Sequence, residues 1–377
     1  MKKVLLIAMA DSIHAARWLE QFEGEPIQFV LFPSSPHRRI HPKITEMLTS
    51  DDGVNLRIYG LLRRLALPMW AIDRFIDNRL RGVLLRKLIR REKPDIVHAM
   101  EFQHGAYLVI HGFKKIATKP YFIATNWGSD IYWFQRFPRH RKKIRLVLAH
   151  ANAYSAECER DHELARHHGF SGIHLPVFPN AGGFSDQHLE RAALLPLPST
   201  RKVIAVKGYT SFVGRADVAL QAIDLASEHL GGFEIAIFSS GMKSRRKSRS
   251  VSKRTGLKFT NYRRHELSHV EMLELFARSR IYIGISESDA ISTSMIEAMS
   301  SGAFPIQTNT SCGDEWITSG ETGFIVGPTD IGEISRVLSV ALTDDVLVDS
   351  AAVRNRASAN ARLSSVHIRQ KIKYFYV

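Results

Sequence analysis

The chain has 377 residues, 45% of them hydrophobic and 24% charged, which excludes wholesale disorder and leaves room for two folded domains. Lys and Arg number 52 against 37 Asp and Glu, a formal charge of +15 that points to an anionic partner: nucleic acid, an anionic membrane surface or phosphorylated ligands. The two cysteines, Cys158 and Cys312, lie too far apart in sequence to read as a disulfide framework or a zinc cluster, so a reducing compartment is expected.

In chain order, short apolar runs alternate with helix-length segments. The first half has runs at 4–9, 27–32, 95–98, 121–125 and 153–155, and the second at 203–206, 234–238, 281–285 and 303–307. Brief strands separated by helices predict parallel sheets built from βαβ units. The opening run ends at Asp11 with no small-residue cleavage site after it, so it reads as a buried first strand and not a signal peptide. No run approaches the roughly 18 apolar residues of a spanning helix. A cytoplasmic protein is expected, with a peripheral position at the inner face of the membrane open to it.

Residues 61–93 carry ten Lys and Arg, among them Arg63, Arg64, Arg86 and Arg91, interleaved with Leu, Ile, Trp70 and Phe75. Two readings stand side by side here: a basic amphipathic helix on an anionic membrane, or a core-packed helix with a solvated basic face. Prolines and glycines from Pro176 to Pro198 break both periodicities and place a domain boundary within 180–200. A second basic tract, 243–254, reads as a solvated loop or as a segment that binds phosphates or anionic lipid, and the sequence leaves both open.

The densest chemistry follows the strand at 281–285: Asp289-Ala-Ile-Ser292-Thr293-Ser294-Met-Ile-Glu297-Ala-Met-Ser-Ser-Gly302. Ser292, Thr293 and Ser294 can cap a helix. The start of such a helix offers free N–H groups and a positive dipole end, which suits a diphosphate. Glu297, a turn further in, can accept hydrogen bonds from vicinal hydroxyls such as those of a ribose. Lys207 and Arg215 flank the turn after the strand at 203–206, where two cations would stabilise a leaving diphosphate.

The acid-x7-Glu spacing from Asp289 to Glu297, then Ala-Met-x-x-Gly302 and Pro305-Ile, resembles the signature of family 4 glycosyltransferases, also called glycosyl transferases group 1. Gly313-Asp-Glu315, Gly320-Glu-Thr-Gly323-Phe-Ile-Val, Pro94-Asp95-Ile-Val-His98 and the tail from Val366 to Tyr376 extend the likeness along the chain. The family usually has Glu where this chain has Asp289, and Arg then Lys where it has Lys207 then Arg215.

The resemblance implies an α/β protein of the GT-B fold: two Rossmann-like, doubly wound parallel-sheet domains facing across a cleft, with a C-terminal helix returning to the first. The expected bounds are 1–185 for the acceptor-side domain, 200–360 for the donor-binding domain and 361–377 for the closing helix. It implies retaining transfer from a nucleoside-diphosphate sugar to a glycan or lipid-linked acceptor, without a metal or other cofactor, in the setting of bacterial surface polysaccharide synthesis. Asp289, Glu297 and His104 take catalytic roles in this reading. Lys207, Arg215, Ser292, Thr293 and Ser294 hold the donor, and Asp11, His14 and Asp130 lie on the acceptor side. Two alternatives keep the same observations: a GT-B sugar-nucleotide epimerase, and a basic nucleic-acid-binding protein, although no nucleic-acid motif is present and no nucleic-acid partner is expected.

Overall fold

The computed structural model describes residues 1–34, 40–50, 53–59, 68, 71–73, 75–179, 182–210 and 212–376. Arg63, Arg64, Trp70 and Arg74 of the first basic tract lie outside the described residues, as do positions 180–181 at the expected boundary. The chain divides into two compact units, 1–182 with 368–377, and 183–367.

The first unit holds seven parallel strands: β1 (Lys2–Ala8), β2 (Ile27–Pro33), β3 (Leu56–Ile58), β4 (Ile96–Met100), β5 (Tyr121–Thr125), β6 (Ala153–Ser155) and β7 (Ile173–His174). Their order is β3-β2-β1-β4-β5-β6-β7. The second holds six: β8 (Val203–Lys207), β9 (Glu234–Ser240), β10 (Lys258–Arg263), β11 (Ser279–Gly284), β12 (Phe304–Thr308) and β13 (Phe324–Val326), in the order β10-β9-β8-β11-β12-β13. Every pairing is parallel. In both sheets the first strand sits where the winding reverses, between β1 and β4 and between β8 and β11. Loops leaving such a switch point splay apart and leave a crevice at the carboxyl ends of the strands.

Continuous apolar strands are buried on both faces, as parallel sheets demand. Leu5, Ile7, Val97 and Phe122 face one core of the first unit, and Val4, Leu6, Phe29 and Ile123 face another. The chain tail belongs to the second of these cores. After the helix Ser365–Lys373, Phe375 and Tyr376 pack around Trp18 and Phe22. Tyr376 OH accepts from Trp18 Nε1 at 3.0 Å and lies 2.6 Å from His98 Nδ1. Burial lowers the His98 pKa to about 3, so the imidazole stays neutral and serves this network. No helix among the described residues is long and apolar enough to cross a membrane.

One expectation is overturned. The tract 243–254 is not a loop; it lies within the helix Met242–Thr255. Its buried positions are Ser244, Ser248 and Val251, which share one helical face while the Lys and Arg side chains point away. The small serines close their own hydroxyls, Ser244 onto Gly241 O and Ser248 onto Arg245 O.

Candidate active site

In the second unit, β8 ends at Lys207, and its neighbour β11 leads through 285–292 into the helix Thr293–Ser300. The Lys207 amine therefore meets the loop at the switch point. It donates to Asp289 Oδ2 at 3.1 Å and to Ser292 Oγ at 3.0 Å. Ser292 is the N-cap by position, but its side chain makes no capping bond. Its hydroxyl is used instead by Lys207, and it lies 3.1 Å from Ser294 Oγ and 3.3 Å from Tyr282 OH. Tyr282, on β11, also reaches Ser294 Oγ at 2.9 Å. Asp289 Oδ1 accepts from the amide of Ala290 at 3.0 Å. Burial works against the charged lysine, yet the Asp289 carboxylate outweighs it and raises the Lys207 pKa above the ordinary value. A lasting positive charge thus stands beside the start of a helix, where the dipole adds to it.

Glu297 is one turn beyond Thr293 and is almost fully buried. His269, the first residue of the helix His269–Ala277, puts Nε2 2.9 Å from Glu297 Oε1. That helix is held by a complete capping box between Ser268 and Glu271, which fixes where His269 begins. His188 also lies within the field of Glu297, although burial dominates and lowers its pKa. Neither histidine is marked by its own sequence surroundings; each comes from a different βα segment, and packing alone brings it to Glu297.

Arg215 is committed elsewhere. Its guanidinium pairs with Glu287 through Nε at 2.8 Å and through Nη2. With Arg215 N on Ile285 O and Glu287 N on Val213 O, this pair ties the turn after β8 to the loop after β11. Gly208, directly after Lys207, has no room for a side chain: a Cβ there would lie 2.7 Å from Phe238 O and 2.8 Å from Ser240 Cα. Three buried polar atoms near the carboxyl edge of this sheet, Ser240 Oγ, Ser288 Oγ and Gln307 Oε1, have no hydrogen-bond partner among the described residues. Orphaned buried groups are rare, and each calls for an explanation such as strain or a binding role.

The first unit has a matching edge. Asp11 lies in the exposed turn after β1, and Ser12 Oγ caps the next helix by accepting from His14 N at 3.2 Å. His14 packs edge-on to Trp127, ring centroids 5.6 Å apart. After β4 the chain makes a π-helical turn, Phe102–Ala106, which leaves His104 exposed. Asp130 is buried, and its carboxylate accepts from the amides of Phe102 and Trp127, both at 2.9 Å. It braces the two loops that carry His104 and Trp127.

Glu101 is a residue the sequence did not single out. It sits at φ 97°, ψ 151°, a region occupied almost only by glycine, and its buried carboxylate accepts from His104 N at 3.0 Å. Burial raises its pKa to about 7, against the opposing pull of that amide and of Arg81. The folded chain therefore holds this proton at pH values where the unfolded chain, near 4.5, has released it. Stability should fall as pH rises from about 4.5 through about 7. Glu101→Gln should flatten that slope by roughly 2–3 kcal/mol in urea unfolding across this window. An unchanged slope would mean the carboxyl is ionised throughout.

Comparison with known proteins bears on what such an edge serves. Residues 195–364 match the sequence model of glycosyl transferases group 1, and residues 77–157 match that of glycosyl transferase 4-like proteins. The second unit thus carries a group 1 glycosyl transferase domain, and both matches are to glycosyltransferases. No curated protein sequence matches it. Among solved structures, this transferase is similar to Anabaena Alr3699/HepE in complex with UDP and glucose, at 14% identity and TM-score 0.67 over 100% of this chain and 99% of that one. It is likewise similar to a glycosyltransferase from Rickettsia africae, at 15% identity and TM-score 0.70 over 100% and 98% of the two chains. A variant of S. aureus TarM, in complex with fondaparinux, alpha-GlcNAc-glycerol and UDP, matches at 10% identity and TM-score 0.70 over the full length of both. The transferase thus has the GT-B fold, two Rossmann-like parallel-sheet domains.

Proposed function

We propose that this glycosyltransferase moves a sugar from a nucleoside-diphosphate sugar to a glycan or lipid-linked acceptor, with retention of configuration, in the synthesis of a bacterial surface polysaccharide. The observation that carries the donor half is the Lys207 amine, held by Asp289 and Ser292 beside the start of the helix Thr293–Ser300. A diphosphate seated there meets a fixed cation and free backbone N–H groups. The positive charge comes from the protein, so the reading needs no metal or other cofactor. Glu297 holds the ribose hydroxyls, and Asp289 lies by the sugar and the phosphate next to it. Ser240, Ser288 and Gln307 offer further polar atoms near the same sheet edge.

As the bond from the anomeric carbon to the diphosphate breaks, the leaving group takes the electron pair and Lys207 stabilises its charge. The acceptor hydroxyl attacks the same face and gives up its proton to the departing diphosphate. His104, Asp11 and His14, on the edge of the first unit, receive the acceptor, and Asp130 keeps their loops in place. Retention and the acceptor class rest on family resemblance; UDP in two of the similar structures makes uridine donors the first to test. The enzyme works in the cytoplasm at the inner face of the membrane.

A thermal-shift panel of nucleoside-diphosphate sugars tests the donor half. A true donor at 100 times its dissociation constant should stabilise the protein by about 2.7 kcal/mol. No shift with any nucleotide sugar would sink the reading. Incubation with the stabilising donor alone separates transfer from epimerisation, because an epimerase converts the sugar without an acceptor.

A further inference from the structure

The first unit carries a groove lined by none of the residues assigned to transfer. About 630 Å³ in volume, it runs between the helices Tyr107–Gly112 and Pro138–His150 and the turn at 75–77. Tyr107, Ile110 and Leu146 line it, and Lys114, Arg139 and Lys142 stand exposed around it. Asp77 is the acid of the lining, and it is already occupied: it pairs with Lys143, and His111 Nε2 lies 3.6 Å away. Lys114, Arg139 and Lys142 have no acidic partner among the described residues.

Beside these cations the surface is apolar in an unusual way. Phe75 is 89% exposed, and Ile72 and Ile76, three positions before it and one after, are 52% and 40% exposed. Ile76 N reaches Ile72 O at 3.3 Å, so the three stand on one helical turn. Leu146 on the groove wall is 44% exposed and Phe137, ahead of the helix Pro138–His150, is 46% exposed. Single exposed apolar residues are ordinary, but a cluster rimmed by unpaired cations marks a binding surface.

We propose that this groove and its apolar rim dock the protein on anionic membrane lipid, with a lipid phosphate among Lys114, Arg139 and Lys142 and with Ile72, Phe75 and Ile76 set into the acyl boundary. Charge complementarity selects an anion, and the aliphatic side chains select which one. A nucleic acid would use the cations but gain little from Ile72, Ile76 and Leu146, and a free phosphate would gain nothing from them. A lipid surface uses both halves. By contrast the basic helix Met242–Thr255 presents cations with Met242 as its one large exposed apolar neighbour. The inference deepens the lipid-linked acceptor reading by naming the surface that would bring the enzyme to its acceptor, and its test needs no transfer reaction.

Vesicle sedimentation decides it. The full chain should bind vesicles of phosphatidylglycerol with phosphatidylcholine and bind pure phosphatidylcholine far more weakly. The triple variant Lys114→Ala, Arg139→Ala, Lys142→Ala should lower partitioning roughly 100-fold, at about 1 kcal/mol per cation. The pair Ile72→Ser, Phe75→Ser should lower it roughly 10-fold or more while leaving the salt dependence in place. Both variants replace exposed side chains, so unchanged melting temperatures confirm that they fold. Unchanged partitioning in either variant overturns the proposal. So does single-stranded RNA binding that the triple variant abolishes and the apolar pair leaves intact. Donor binding in the second unit is read separately by UDP titration: its absence in the wild type would count against the transferase reading and leave the groove standing.

Discussion

Glu297→Ala is expected to lower kcat/KM for the nucleotide-sugar donor by roughly 10²- to 10⁴-fold while the protein stays folded. Two hydrogen bonds from donor hydroxyls to a carboxylate are worth about 1.5–3 kcal/mol each, and each 1.4 kcal/mol is tenfold. The side chain that accepts them is 8% exposed, and its protein partner, His269, is 47% exposed. Losing the carboxylate therefore leaves His269 in contact with water and not stranded in a core. The stability cost should stay near 1 kcal/mol, because the partner left behind keeps its contact with water. Steady-state kinetics with the donor varied, alongside thermal unfolding, separates the two effects. A fully active Glu297→Ala enzyme would remove Glu297 from the site.

Lys207→Met should act on a different parameter. A cation aimed at charge that develops in the transition state contributes mainly to kcat, and removing one such group typically costs about 10²- to 10³-fold. The amine is placed for this by two partners that are distant in sequence, 82 and 85 residues away. The pair Lys207–Asp289 is also structural, since Asp289 orders the loop through its bond to Ala290 N. Asp289→Asn separates these roles: its single carbonyl oxygen can accept from Ala290 N or from Lys207 but not from both, so the loop bond can persist while the lysine loses its counter-charge, and activity should fall less than in Lys207→Met. A rise in KM alone for Lys207→Met would show that the amine binds the donor equally before and during bond breaking.

The central strands were readable because their apolar runs are nearly unbroken, as burial on both faces requires: β5 and β6 fall at the expected 121–125 and 153–155. Three of the four edge strands were not. β3 and β7 are three and two residues long, and β10 is polar along most of its length with no fully buried position. An edge strand owes its existence to a neighbour's free hydrogen-bonding groups and leaves little trace in its own sequence. The helix Met242–Thr255 escaped for a related reason. Its inward face is built on Ser244 and Ser248, so no apolar stripe marks the period.

The site divides along the same line. By itself the sequence determined that a strand, a loop with Asp289 and a serine-rich helix start carrying Glu297 follow one another, because those parts are contiguous and their spacing is local chemistry. It also identified Lys207 at the end of another strand. Only the tertiary structure decided that β8 and β11 are neighbours at a switch point, which sets the Lys207 amine between Asp289 and Ser292. It likewise brought His269 to Glu297, turned Arg215 toward Glu287, and held Glu101 at a positive φ beneath His104. Those placements depend on sheet order and on packing between segments far apart in the chain, and no local pattern of residue types encodes them.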